Sequence, residues 1–216
     1  MDIYQIIQLA IILLVSIWLH EYAHAYVSYR LGDPTPKLQW RLTPNPIRHL
    51  DPIWFVMVFL IWFWRGKPVQ INPMYYKNPI KWEFLVAMAW PAANIILSII
   101  WIIITFIYMK LAWLSVNTIF MNNGDVVTSF WVSFALMNIT LAIFNLIPIP
   151  PLDGFRIIKM IWWKIWSLIE KYTMFISIFF LIILLGPGSQ IVGNFLSTVS
   201  FFVFKIFFTI IGQVFY

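Results

Sequence analysis

The sequence has no cysteine and few charges: of its 216 residues only 10% are Asp, Glu, Lys or Arg. The first absence excludes disulfides and thiolate metal ligands, so any metal must be held by His, Asp, Glu or backbone oxygen. It also removes the usual clue to redox compartment. The second absence, beside 62% hydrophobic residues and a mean hydropathy of +0.86, excludes an ordinary soluble domain. No basic stretch precedes the first apolar run, which continues past signal-peptide length, so a retained membrane helix is expected there. Internal repeats, low-complexity linkers and a soluble second domain are absent too. One membrane domain over 1–216 is expected, with a catalytic core over about 1–160 and C-terminal helices over about 161–216.

What is present is hydrocarbon-compatible sequence. Crossing about 30 Å of bilayer core takes roughly 20 apolar residues. Five stretches qualify, near 3–29, 84–109, 126–147, 172–186 with its neighbours, and 190–213. Aromatic residues make up 19%, including thirteen Trp, which suits ring-bearing positions at membrane interfaces. A sixth apolar run, Pro52 to Trp64, reaches only about 20 Å as a helix and is expected to be re-entrant. The fold class is therefore all-α integral membrane, with about five transmembrane helices and a short re-entrant helix.

The net charge of +6 would suggest nucleic acid in a soluble protein, but the Lys and Arg sit in loops between apolar runs. Arg30, Lys37, Arg41 and Arg48 follow the first span, Arg65, Lys67, Lys77 and Lys81 the short run, and Arg156, Lys159, Lys164 and Lys171 the third. If the short run does not cross, all three groups fall on one side, the pattern of cytoplasmic loops. The expected partner is then the lipid bilayer and not nucleic acid, with the N-terminus outside the cell. Between Lys37 and Thr43 polarity alternates strictly, and turn formers flank the segment, predicting a strand in a small hairpin or sheet.

Only three histidines occur, and two of them, His20 and His24, stand four apart in an apolar run. On a helix they face the same way about 6 Å apart, a spacing suited to two imidazoles on one Zn²⁺. Glu21 lies between them, one position round from the ligands, where a carboxylate can take a proton from water without occupying the metal. A chance match and a proton relay in a transporter remain alternatives on this motif alone. Seventeen mostly apolar residues, from Ile3, precede His20, which places the site toward the cytoplasmic end of the first span.

Of the eight acids, six lie in or beside polar or interfacial segments, leaving Glu21 and Asp153 against apolar runs. Asp153 follows Pro148, Pro150 and Pro151, which forbid a continuous helix, and precedes Gly154, which permits a tight turn. Broken backbone at membrane depth survives only inside protein or around a wet cavity, where a carboxylate is expected to meet a cation. Asp153 is thus the candidate third metal ligand; the other reading is an N-cap for a helix beginning near Phe155.

His-Glu-Tyr-Ala-His from 20 to 24 and Asn-Leu-Ile-Pro-Ile-Pro-Pro-Leu-Asp-Gly from 145 to 154 resemble the two signature motifs of the site-2 protease family, peptidase family M50. The segments from Gly32 to Trp54 and from Lys67 to Pro79 look like the connections of its short members, which lack PDZ and CBS domains. The resemblance implies an intramembrane zinc metalloendopeptidase with one Zn²⁺ per chain on His20, His24 and Asp153 and with Glu21 as general base. It also implies that Asn145 helps hold the substrate or its developing oxyanion. Substrates would be membrane proteins with a transmembrane helix, cut in regulated intramembrane proteolysis in the cell membrane of a bacterium or archaeon. Trp90-Pro-Ala-Ala-Asn94 departs from the family's usual Gly-Pro-x-x-Asn, and Phe155 stands where a small residue is frequent. The third histidine, His49, is expected to be interfacial, hydrogen-bonded or solvated, without a metal role. The competing function is a non-catalytic membrane protein, either a metal transporter or a pseudoprotease.

Overall fold

A computed structural model describes residues 3–43, 45–49, 69–116 and 125–215. Among these, five segments are long and apolar enough to cross a membrane: Ile3–Arg30, Pro79–Leu111, Val126–Leu146, Trp166–Leu185 and Gly188–Phe215. The first three are single helices, α1 (Ile3–Arg30), α3 (Pro79–Leu111) and α4 (Val126–Leu146), and the last is α8 (Gly188–Phe215). The shorter α-helices among the described residues are α2 (Thr35–Leu38), α5 (Phe155–Ile161), α6 (Trp163–Ile169) and α7 (Thr173–Leu185). The chain is all-helical among the described residues and contains no strand there. The expected re-entrant helix over 52–64 lies outside them.

The strand expected over Lys37–Thr43 is corrected. The segment opens as α2, with Pro34 as its N-cap and Pro36 in its first turn. It then closes on itself through hydrogen bonds from Gln39 to the Thr35 carbonyl and from Arg41 to the Pro36 carbonyl. Proline's fixed φ suits a first helical turn, and Trp40 takes a left-handed φ of 58° that ends any extended run. The alternation misled because the helical turn and the left-handed Trp40, not the polarity pattern, set which side chains face inward. Leu38 and Trp40 are exposed, whereas Arg41, on the polar side of the pattern, is buried.

The chain divides into two compact units. The second, residues 94–145 and 178–216, is built on an apolar cluster of Ile102 and Phe106 from α3, Ala135 and Ile139 from α4, and Phe204 and Phe208 from α8. The first, residues 1–93 and 146–177, carries α1, α2, the start of α3, α5 and α6. There Lys159 of α5 donates to both carboxylate oxygens of Glu83 of α3, at 2.8 and 3.1 Å, and its ammonium lies 5.6 Å from the Trp166 ring centroid. Phe155 packs on the same Trp166 ring at 4.4 Å. Glu83, which the sequence sets in or beside a polar or interfacial segment, is buried within the protein.

Removing one partner of a desolvated ion pair leaves a stranded charge, which costs more than the pair is worth. Glu83→Ala is therefore expected to destabilise the detergent-solubilised protein by about 2 kcal/mol. The Glu83→Ala/Lys159→Ala double variant should recover part of that loss. Thermal unfolding of the three proteins checks the order.

Candidate metal centre

α1 runs unbroken through His20, Glu21 and His24, so one helical turn sets the two imidazoles on a common face, their ring centroids 4.7 Å apart. Asp153 arrives by a different route. Pro148 ends α4 after Leu146, and the chain folds through a series of tight turns, with the Pro150–Pro151 peptide cis, before α5 begins at Phe155. Gly154 lies so close to the end of α4 that a Cβ there would fall 2.4 Å from the Leu146 carbonyl oxygen and 2.5 Å from that of Ile147. This close approach requires glycine, and it seats the neighbouring Asp153.

The fold brings the three predicted ligands together: one ligand atom each from His20, His24 and Asp153 lies within 4.8 Å of the others. Asp153 Oδ2 is 3.1 Å from His24 Nε2 and 3.8 Å from His20 Nε2. A tetrahedral zinc with bonds of about 2.0–2.1 Å separates its ligand atoms by about 3.3–3.4 Å, between these two values. His24 Nδ1 donates to the Val86 carbonyl at 2.8 Å, which leaves the Nε2 lone pair for a metal. Burial acts to raise the Asp153 carboxyl. When His24 is protonated at both nitrogens, its charge and its Nε2–H bond, then His20 and Arg156, outweigh it and hold the group well below the usual carboxylate range; that Nε2 proton must leave for a metal to bind. Two imidazole nitrogens and an ionised carboxylate converge, and this donor set fits Zn²⁺.

Glu21 is buried and sits beside this cluster, its Oε1 3.7 Å from His20 Nε2. Its other oxygen, Oε2, accepts the backbone N–H of Val69 at 3.0 Å. Trp90, the departure from Gly noted above, is buried, with its ring centroid 4.0 Å from that of His20. The largest side chain thus forms a wall against the His20 imidazole.

Asn145, which ends the first stretch of the second unit, donates its amide to the Leu141 carbonyl one turn back at 3.2 Å. His49 is buried rather than solvated and hydrogen-bonds the Thr43 carbonyl through Nε2 at 3.1 Å. Burial drives its pKa down; the bond to Thr43 opposes this, and Arg41 adds to it. The buried Arg41 itself donates to the Arg48 carbonyl. Sequence reasoning missed Val86 and Val69, and no signal could have found them, because both act through backbone atoms.

The profile of Peptidase family M50 matches residues 8–185, most of the chain. The chain belongs to peptidase family M50. This M50 chain is 40% identical over 151 residues to a protein named "Putative zinc metalloprotease YwhC" from Bacillus subtilis, a match covering 70% of this chain and 67% of that one. It is 27% identical over 149 residues to "Putative zinc metalloprotease Rip2" from Mycolicibacterium smegmatis, covering 66% of this chain and 52% of the relative. Rip2 of Mycobacterium tuberculosis is 26% identical over 152 residues, covering 68% of this chain and 54% of its own. The M50 chain thus spans about two thirds of YwhC and about half of the Rip2 proteins. No solved structure matches it.

Proposed function

We propose that the protein is an intramembrane zinc endopeptidase that hydrolyses peptide bonds in transmembrane segments of other membrane proteins. Its ligands to a single Zn²⁺ are His20, His24 and Asp153, its general base is Glu21, and Asn145 helps hold the substrate. The observation that carries this reading is the metal-ligand cluster with an adjacent buried carboxylate, three of whose four residues belong to an apolar helix long enough to span a bilayer. Membership of family M50 and the names of the relatives support it.

Zinc held by these three side chains supplies Lewis acidity, polarising a peptide carbonyl and lowering the pKa of a water toward about 7. The remaining chemistry belongs to the chain. Glu21 Oε1, on the side of the histidines, takes the proton from the attacking water and returns it to the leaving amine. With Oε2 occupied by Val69, the base has one oxygen to use and one fixed orientation. Val86 holds the His24 ring in the tautomer that ligation requires.

The orientation follows from the basic loops. Arg30 closes α1, and with the short run over 52–64 taken not to cross, the three groups of Lys and Arg share one side; the N-terminus is then outside and the site opens toward the cytoplasm of a bacterial or archaeal cell. Purified protein in liposomes is expected to cut a co-reconstituted single-span substrate within its helix. Chelation should abolish cleavage, and added Zn²⁺ should restore it. A fully zinc-loaded protein that leaves every such substrate intact would overturn the reading.

A further inference from the structure

Asp33 lies beyond α1 and outside the metal cluster, yet it is 0% exposed. Its carboxylate accepts at least three hydrogen bonds. Oδ2 takes Ser28 Oγ–H at 2.9 Å and the Asn72 N–H at 2.8 Å, and Oδ1 takes the Thr35 N–H at 2.9 Å. Since Ser28 gives its proton to Asp33, the Tyr76 hydroxyl 2.8 Å away donates to Ser28 in turn. Burial acts to raise the Asp33 carboxyl, and the bonds from Thr35, Asn72 and Ser28 outweigh it, so the group stays ionised and acceptor-only. A buried carboxylate with this many directed partners determines where those partners lie.

One partner matters for the chemistry. From Asn72 the chain runs back three residues to Val69, whose N–H reaches Glu21 Oε2 at 3.0 Å. Asn72 itself is extended, with φ −118° and ψ 101°. Three residues reach at most about 10 Å. The rise along α1 from Glu21 to Ser28, seven residues, is about 10.5 Å. The segment therefore spans nearly its full reach, with one end hydrogen-bonded to Asp33 and the other to Glu21. Its middle is tied to the loop after α2, where Gln39 Nε2 donates to Gln70 Oε1 at 2.9 Å.

We propose that Asp33 is a positioning residue for Glu21: by pinning Asn72 to the end of α1, it sets the reach of Val69–Asn72 and so holds the Val69 N–H on Oε2. This rests on Glu21 being the base of the reaction proposed above. The oxygen that faces the histidines is then always Oε1, and the carboxylate does not rotate away between turnovers. Preorganisation of this kind acts on the chemical step and leaves metal and substrate binding alone.

The test uses the full chain in detergent with backbone amide exchange, kinetics and metal analysis. Asp33→Asn keeps the size of the side chain but presents a donor to the N–H groups it must accept. It should speed exchange at least tenfold at both Val69 and Asn72, with the amides of α1 unchanged. Glu21→Ala should release Val69 and leave Asn72 protected. Asp33→Asn should also lower kcat roughly 10- to 100-fold, with KM and zinc content held. Ser28→Ala removes a single bond to the carboxylate and should give the same pattern at smaller amplitude, which keeps the idea testable if Asp33→Asn does not fold. A Val69 amide that stays protected in both Asp33→Asn and Ser28→Ala overturns the proposal, as does a loss of activity that tracks lost zinc. A wild-type enzyme that binds zinc and cuts nothing defeats the protease reading, while the exchange measurements still decide this one.

Discussion

Glu21→Gln is expected to lower cleavage of a membrane-helix substrate by 10²- to 10⁴-fold while leaving zinc content at the wild-type level. The range is the usual contribution of a positioned general base. The separation of the two readouts follows from the geometry. His20, His24 and Asp153 converge on one point, and Glu21 stands beside that point with Oε1 3.7 Å from His20 Nε2. Glutamine keeps the size of the side chain and still accepts the Val69 N–H, so the surroundings have no reason to rearrange. Only the ability to take a proton is removed. His24→Ala and Asp153→Ala provide the contrast, since each removes a proposed ligand and should lose zinc and cleavage together. Metal analysis beside a cleavage assay separates the two classes, and a Glu21→Gln protein that cuts at the wild-type rate would refute the role given to this carboxylate.

The second large effect is expected at a residue without a side chain. A Cβ on Gly154 would sit 2.4 Å from the Leu146 carbonyl oxygen. Both are backbone-bound, so neither can swing aside as a flexible side chain would. Relief to the 3.0 Å below which real contacts essentially do not occur requires a shift of about 0.6 Å between the end of α4 and the turn that bears Asp153. Metal sites tolerate errors of about ±0.2 Å in ligand placement. Gly154→Ala is therefore expected to cost about 3 kcal/mol in stability and to weaken zinc binding at least tenfold. Thermal unfolding and competition with a chromogenic chelator measure the two quantities. Gly193→Ala on α8, whose Cβ would meet nothing within 4 Å, is the control and should change neither. Retained zinc affinity in Gly154→Ala would mean that Asp153 is not seated by this contact.

The uneven legibility of the chain has a common origin. The long helices could be read directly, because spanning a bilayer demands an uninterrupted apolar run whatever the neighbours are, and Ile3–Arg30 and Gly188–Phe215 announce themselves by length alone. The segment over 37–43 could not, because the helical turn that Pro34 and Pro36 start overrides the alternation. In this chain Leu38 and Trp40 point outward and Arg41 inward. Trp90 carries a related lesson. From the residue type alone it opposes close packing near the site, yet the fold gives it a place against His20, where bulk is an asset.

The sequence by itself determined the chemistry available: the absence of cysteine, two histidines one helical turn apart, a carboxylate between them, and an aspartate set where prolines forbid a helix. These are properties of residue type and local spacing, fixed by helix periodicity and by proline's missing N–H. The tertiary structure decided everything that depends on distance across the chain. It brought Asp153 to within 3.1 Å of His24, turned the Val86 carbonyl onto the far side of that ring, and laid the Val69 N–H on Glu21. Every residue carries the same backbone carbonyl and amide, so their placement leaves no mark in residue identity. Only the folded path of the chain assigns them their partners.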